Sequence, residues 1–284
     1  MNNWYEPYLC IYGKPFADVP SHIVEQTRER LAALQSAAPV ASVVIIAYNE
    51  ETRLQACLWS ISQMRCRHPV EIIGVDNNSA DRTADVFRHS GIPFYTEERQ
   101  SCGYARQCGL DHAAGRYYIG IDADTLYPPD YFELMIDQLM RPGVVAVSAR
   151  WSYFPDERHS RLGLMVYEAC RDLFLWMQHF KRPELSVRGL VFAYDAHYGR
   201  REHYRVDIRR GEDGSMALAL KKYGRIRFVG DRRARAVTGY GTLNEHSLLQ
   251  SLWHRIRIQG RGLWRIFYRK DHYDDTPDNL IQQP

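Results

Sequence analysis

The chain has little that would hold it together by covalent or membrane means. Its six cysteines (Cys10, Cys57, Cys66, Cys102, Cys108, Cys170) include no C-x-x-C pair and no zinc spacing. Reduced thiols are therefore expected, and neither a disulfide framework nor a structural zinc is the basis of the fold. Charge of one sign is missing too. Lys and Arg number 37 against 34 Asp and Glu, a formal net charge of +3, so no nucleic-acid partner is expected. Residues 1–20 mix Trp4, Glu6, Pro7, Lys14 and Asp18 without the apolar stretch of a signal peptide. The longest apolar run, residues 40–48, is less than half of a membrane span. Internal repeats and low-complexity segments are absent. The expectation is a cytoplasmic protein with no membrane-crossing helix of its own.

What is present suits a globular core: 45% hydrophobic and 25% charged residues in a chain of 284. Residues 1–39 read as a Tyr- and Pro-rich lead-in followed by a helix over 21–36, with Ser21 as its cap. From residue 40 short β-branched runs alternate with helical stretches. Strands are expected at 41–47, 70–75, 92–96 and 117–121, with helices after 50 and over 81–89 and 104–114. This alternation predicts an α/β fold, a mostly parallel sheet with helices on both faces. Beyond it come a strand at 144–149, a long aromatic-rich helix over 159–180 and an extended stretch at 187–198. A helix over 212–223 and short strands at 226–229 and 234–238 follow. The aromatics Trp151, Tyr153, Phe154, Trp176, Tyr194 and Tyr198 are expected mainly to fill core.

In a parallel sheet ligands bind beyond the carboxyl ends of the strands, and those ends are polar here. The strand at 41–47 runs into Tyr48-Asn49-Glu50-Glu51, the one at 70–75 into Asp76-Asn77-Asn78-Ser79, and the one at 117–121 into Asp122-Ala123-Asp124. Each cluster alone could be a turn former; three at equivalent ends predict one acidic crevice. Asp122 and Asp124, one residue apart on a turn, can both reach a hard divalent cation, Mg²⁺ or Mn²⁺, that keeps positions open for phosphate oxygens. Glu212 and Asp213 open a later helix, where a carboxylate can cap the helix or serve as a general base.

Four pieces, in order and spacing, resemble glycosyltransferase family 2, whose members share the GT-A fold: SVVIIAYNEE (42–51), EIIGVDNNSADRT (71–83), GYARQCGLDHAAGRYYIGIDAD (103–124) and GEDGSMALALKKYG (211–224). The resemblance implies an inverting, metal-dependent transfer of a sugar from a nucleotide-diphosphate donor, UDP favoured, to a hydroxyl of a saccharide or lipid-linked acceptor. It implies nucleotide-sugar contacts from Ala47, Tyr48, Glu50, Asp76, Arg106, Asp122 and Ala123. Asp76 would meet the base and Arg106 the diphosphate, with the cation on Asp122 and Asp124. Asp213 is implied as the catalytic base, with Glu212 as its substitute. Asn77 stands where a second Asp is frequent, which leaves the base open. The organisation expected is a lead-in (1–39), a nucleotide-sugar half (40–145), an acceptor and catalytic-base half (146–242) and a tail (243–284).

The tail has no acidic side chain between His246 and Lys270, while Arg257, Arg261, Arg265 and Arg269 recur every four residues beside an apolar line of Leu249, Leu252, Ile256, Leu263 and Phe267. Such a helix can lie peripherally on an anionic membrane or pack on the domain; Gly260 and Gly262 interrupt it. A third metal ligand would be His246, His254 or neither. Two other readings are a metal-dependent nucleotidyltransferase, although AYNEETR lacks a glycine-rich phosphate loop, and a nucleotide-sugar-binding scaffold without catalysis.

Overall fold

The alternating pattern becomes a seven-stranded sheet in the computed structural model, which describes residues 3–155 and 160–239. His246, His254 and the basic tail lie outside the described residues. A short 3₁₀ lead-in is followed by α1 (Ser21–Leu34), β1 (Ala41–Ala47), α2 (Glu51–Ser62), β2 (Val70–Asp76), α3 (Thr83–Ser90), β3 (Phe94–Thr96), α4 (Cys102–His112) and β4 (Tyr117–Asp122). Next come β5 (Thr125–Leu126), α5 (Tyr131–Leu139), β6 (Val144–Ala149), β7 (Trp151–Tyr153) and α6 (Arg161–His179). β8 (Phe192–Asp195), α7 (Ala196–Glu202), α8 (Glu212–Leu220), β9 (Arg225–Val229) and β10 (Ala236–Thr238) complete the described fold.

The strands are ordered β3-β2-β1-β4-β8-β6-β9, all parallel except β8, which runs antiparallel between β4 and β6. One sheet thus crosses the boundary expected between residues 145 and 146. Alternate residues of β1 fall into different cores, Val43 and Ile45 on one side and Val44 on the other, as the period of two requires. Leu31, Leu54, Phe87 and Phe132, from α1, α2, α3 and α5, fill the first core; Ala105, Leu110, Met216 and Leu220, from α4 and α8, fill the second. Helices therefore cover both faces, which is why β1 carries almost no polar residue. A three-stranded sheet, β5-β10-β7, stands beside the large one. The register pairs Ala47 with Asp76 and Ile46 with Asp122, so the loops after β1, β2 and β4 open on the same edge.

Several expectations are corrected. Ser21 is the first residue of α1 rather than its cap; Pro20 precedes the helix without a side-chain cap. Residues 187–198 are not uniformly extended, since β8 passes directly into α7 at Ala196. Glu212 and Asp213 do not cap α8. Gly211, with φ of 98°, occupies that position and leaves both carboxylates in the first turn. Trp151, Tyr153, Phe154 and Tyr194 are core, but Trp176 on α6 is 50% exposed. The cause is on the helix's other side: Glu168, Arg171 and Asp172 are buried there in ion pairs, which turns the apolar side outward.

Candidate active site

The loops after β1 and β2 are tied to each other before any ligand arrives. Asn49 adopts a left-handed backbone with φ of 54°, which Asn tolerates better than most residues. Its Oδ1 accepts from the Ala80 N–H at 2.8 Å, and its own N–H donates to Ser79 Oγ at 2.9 Å. The Glu50 N–H donates to Thr83 Oγ1 at 2.8 Å. Asp76 is buried at the end of β2 and accepts from the Ser79 N–H at 3.3 Å through Oδ1. Tyr48 stands at the rim, 49% exposed. Asn77 acts locally, since its Nδ2 donates to the carbonyls of Glu97 (3.0 Å) and Arg99 (2.8 Å) and so fixes the segment between β3 and α4. An aspartate has no donor to offer those two carbonyls.

The turn after β4 is held from three directions. The Asp122 N–H donates to Tyr127 Oη at 3.2 Å, and that hydroxyl donates to the Leu190 carbonyl at 2.8 Å. Tyr12 Oη donates to the Asp124 carbonyl at 2.7 Å. Thr125 and Thr238 hydroxyls lie 3.0 and 3.4 Å from Asp124 Oδ1. Ala123 is buried between the two aspartates.

Glu50 joins Asp122 and Asp124 in a crowded acidic group. Burial first, and then the Asp124 charge, push the Glu50 carboxyl up to about 8. Burial and the neighbouring Asp122 raise Asp124 as well. Arg53 offsets part of this repulsion, its Nε 2.7 Å from Glu50 Oε2, yet that oxygen is buried without an aligned hydrogen bond among the described residues. Repelling carboxylates with spare oxygen lone pairs suit a hard divalent cation. No group of three or more His, Cys, Asp or Glu among the described residues is spaced to hold a metal unaided. The fit is therefore to a cation that takes other ligand oxygens besides Asp122 and Asp124.

Arg106 connects this group to the second acidic pair. It is 2% exposed; its Nη2 lies 2.8 Å from Asp122 Oδ1, and its Nε lies 2.9 Å from Asp213 Oδ1 and 3.8 Å from Glu212 Oε1. Burial is the main influence raising the Asp213 carboxyl; Arg106 pulls against it, while Glu212 and Asp122 add to it. Arg106 Nε, Arg106 Nη1 and Asp213 Oδ1 are buried without an aligned hydrogen bond among the described residues. The guanidinium fits only because two neighbours lack side chains. A Cβ on Gly189 would collide with Arg106 Nη2 and Asp213 Oδ2, and one on Gly120 would come within 3.0 Å of Arg106 Nη1.

The structure thus gathers Glu50, Arg106, Asp122, Asp124, Glu212 and Asp213 into one region and sets Asp76 and Tyr48 on the neighbouring strand ends. Gly120, Gly189, Arg53, Tyr12 and Tyr127 are structural participants that sequence reasoning missed. Gly120 had a readable signal, an isolated glycine inside a strand, which marks close approach of another group. Gly189 had none.

The fold and this crevice define the chain as a glycosyltransferase of the GT-A type. It belongs to glycosyl transferase family 2, whose model matches residues 42–204, more than half of the chain. Among curated relatives, the glycosyltransferase AglE of Haloferax volcanii is 28% identical over 118 residues, 39% of this chain and 39% of AglE. The matched stretch spans less than half the length of each curated relative it aligns with. Of solved structures, the mannosyltransferase PcManGT of Pyrobaculum calidifontis, in complex with GDP-Man and Mn²⁺, superposes with a TM-score of 0.58 at 19% identity, covering 84% of this chain and 72% of that one. Glucosyl-3-phosphoglycerate synthase of Mycobacterium tuberculosis, in complex with Mn²⁺, UDP-Glc and phosphoglyceric acid, gives 0.52 at 21% identity with 84% of both chains covered.

Proposed function

We propose that the protein is an inverting, divalent-metal-dependent transferase that moves a sugar from a nucleoside-diphosphate donor, with UDP favoured, to a hydroxyl of a saccharide or lipid-linked acceptor. One observation carries the reading: a single buried arginine spans the acidic turn after β4 and the acidic pair opening α8. The first is suited to the leaving diphosphate and the second to the attacking hydroxyl. Complexes of structural neighbours with UDP-Glc or GDP-Man and Mn²⁺ support the donor class and the cation.

Asp76 and Tyr48 would hold the base and ribose, with Ala47 and Glu50 lining the same wall. Asp122 and Asp124 would hold the cation, with donor phosphate oxygens completing its shell. When bound, the cation neutralises charge that builds on the departing diphosphate. Arg106, whose Nη2 already meets Asp122, would bring a guanidinium to the same oxygens. Asp213 takes the proton of the acceptor hydroxyl. The hydroxyl oxygen bonds to the anomeric carbon while the bond from that carbon to the phosphate oxygen breaks. The nucleoside diphosphate leaves on the opposite face, and the configuration inverts. Burial gives Asp213 a basicity above that of an ordinary carboxylate, and Arg106 opposes its protonation in the resting site. Glu212, 3.8 Å from the same guanidinium, would be its substitute.

Release of nucleoside diphosphate from a panel of donors and acceptors, with Mn²⁺ and with chelator, tests the reading. Transfer is expected only with the cation. Asp213→Asn is expected to bind donor normally and lose about 10²- to 10⁴-fold in kcat. Near-normal turnover in that variant, with the acceptor used by the native chain, would remove Asp213 from the role. Donor binding with no release for any acceptor would favour the scaffold reading instead.

A further inference from the structure

Helix α6 packs a mixed face on the core, Leu164, Tyr167 and Leu175 beside charged residues, and leaves a second apolar face outside. Its buried positions include Glu168, Arg171 and Asp172, whereas Leu162, Met165, Val166, Leu173, Trp176 and Phe180 face outward, with Leu162 70% and Phe180 69% exposed. Ala169 and Cys170 fill the outward side between them. From Leu162 to Phe180 no outward position carries a charge. The helix has 19 residues, so this strip is about 28 Å long at the α-helical rise. An apolar strip of this extent marks an interaction surface.

The outward orientation is enforced from beneath. Glu168 accepts from Ser152 Oγ and the Tyr153 N–H, both at 2.8 Å, and pairs with Arg235 at 3.2 Å. Arg171 pairs with Asp172 at 2.9 Å, donates to the Trp151 carbonyl and lies 4.2 Å from the Trp151 ring centroid. Asp172 also pairs with Arg235. Rolling α6 over to bury Leu162 and Leu173 would lift Leu164 and Leu175 out of the core and break these buried pairs, which costs several kcal/mol per broken pair.

A groove of about 1240 Å³ runs along the helix, and Met165, Leu173 and Trp176 line it as well as the strip. Arg161 at the start of α6 and Arg150, Arg232 and Arg235 from outside the helix also line it, while the only carboxylates among its described lining residues, Glu168 and Asp172, are already paired with arginines. Arg161 also approaches Glu6 at 3.4 Å. An uncharged strip edged by arginines matches an interface with acyl chains below and anionic headgroups at the margin. Two copies meeting through this face would set arginine margin near arginine margin, with no acidic strip among the described lining residues to answer it. The chain leaves the described fold after β10, whose Val237 also lines the groove. The sequence that follows holds no acidic residue between His246 and Lys270.

We infer that the outward strip of α6 and the arginine groove beside it are a docking surface for an anionic lipid bilayer. The surface goes beyond the transfer reaction and can fail or hold independently of it. Full chain is sedimented with phosphatidylcholine vesicles, with and without phosphatidylglycerol, and donor turnover is followed in the same samples without lipid. Partition is expected with phosphatidylglycerol and is expected to weaken as salt rises. The double variant Leu173→Gln/Trp176→Gln, checked for native near-UV circular dichroism, is expected to lose roughly tenfold or more of that partition and to keep its lipid-free turnover. No partition by the native chain, equal partition by the variant, or equal binding to neutral vesicles would each overturn the proposal. A dimer that the same substitutions dissolve, without vesicle binding, would overturn it in favour of a second copy.

Discussion

Arg106 Nε stands 2.9 Å from Asp213 Oδ1, closing a bridge whose other foot is Asp122. The two acidic motifs, distant in sequence, thereby share one buried counter-charge. A bridging guanidinium can serve both carboxylates at once because its nitrogens point in fixed, different directions.

Arg106→Lys separates charge from shape. The ammonium keeps the positive charge but cannot span both feet, so kcat is expected to fall by about 10²-fold with the donor KM changed much less. Steady-state kinetics with saturating cation measure this. Full activity would mean that charge alone suffices.

Gly189→Ala tests the bridge without touching a charged residue. The added methyl meets both Arg106 and Asp213, and displacement of the reacting groups by about 1 Å is expected to cost about 10²-fold in kcat. Unchanged kcat, with the folded state verified by thermal melting, would show that the guanidinium relocates freely.

Glu50 sets a pH dependence. Its carboxyl is raised to about 8 in the folded protein, above its unfolded value, so the unfolded chain ionises first as pH rises. The associated stability is full below about pH 4.5 and drains away as pH climbs towards 8. Glu50→Gln is expected to melt about 2–4 °C higher than the native chain at pH 8.5 without metal, with the difference closing near pH 4. A melting difference independent of pH would assign the effect to packing.

Most of the sheet could be read from the chain because β1 and β4 are apolar on both faces and lead into acidic turns, a pattern that local chemistry produces and burial explains. β5 and β7 are two or three residues long, too short for periodicity, and exist only because they pair with β10, which lies within the short strand expected at 234–238. The acidic crevice was legible in Asp122, Asp124 and Asp213. Arg106 as their shared counter-charge was not, since its reach depends on space left by Gly189, far along the chain. The outward α6 strip misled for a similar reason: leucine and tryptophan at helical spacing look the same whether the opposite side is water or a buried ion network.

Asn77 offers a sharper test of local function. Its amide nitrogen serves two backbone carbonyls, so Asn77→Ala is expected to lose about 1–3 kcal/mol of stability. Asn77→Asp is expected to lose more, because a carboxylate would oppose the same oxygens. Chemical denaturation of the three chains ranks them, and a stable aspartate variant would refute the assignment.

Tyr12 binds the Asp124 carbonyl through its hydroxyl, and Gly13 donates its N–H to the Thr52 carbonyl at 2.8 Å. A Cβ on Gly239, at the other end of the described chain, would lie 3.0 Å from that same hydroxyl. The opening residues therefore work as a wedge beneath the turn that carries Asp124, pinned between it and the strand leading out of the fold. Trimming residues 1–15 to obtain a minimal transferase would remove a wall of the site, and purification handles are better placed elsewhere.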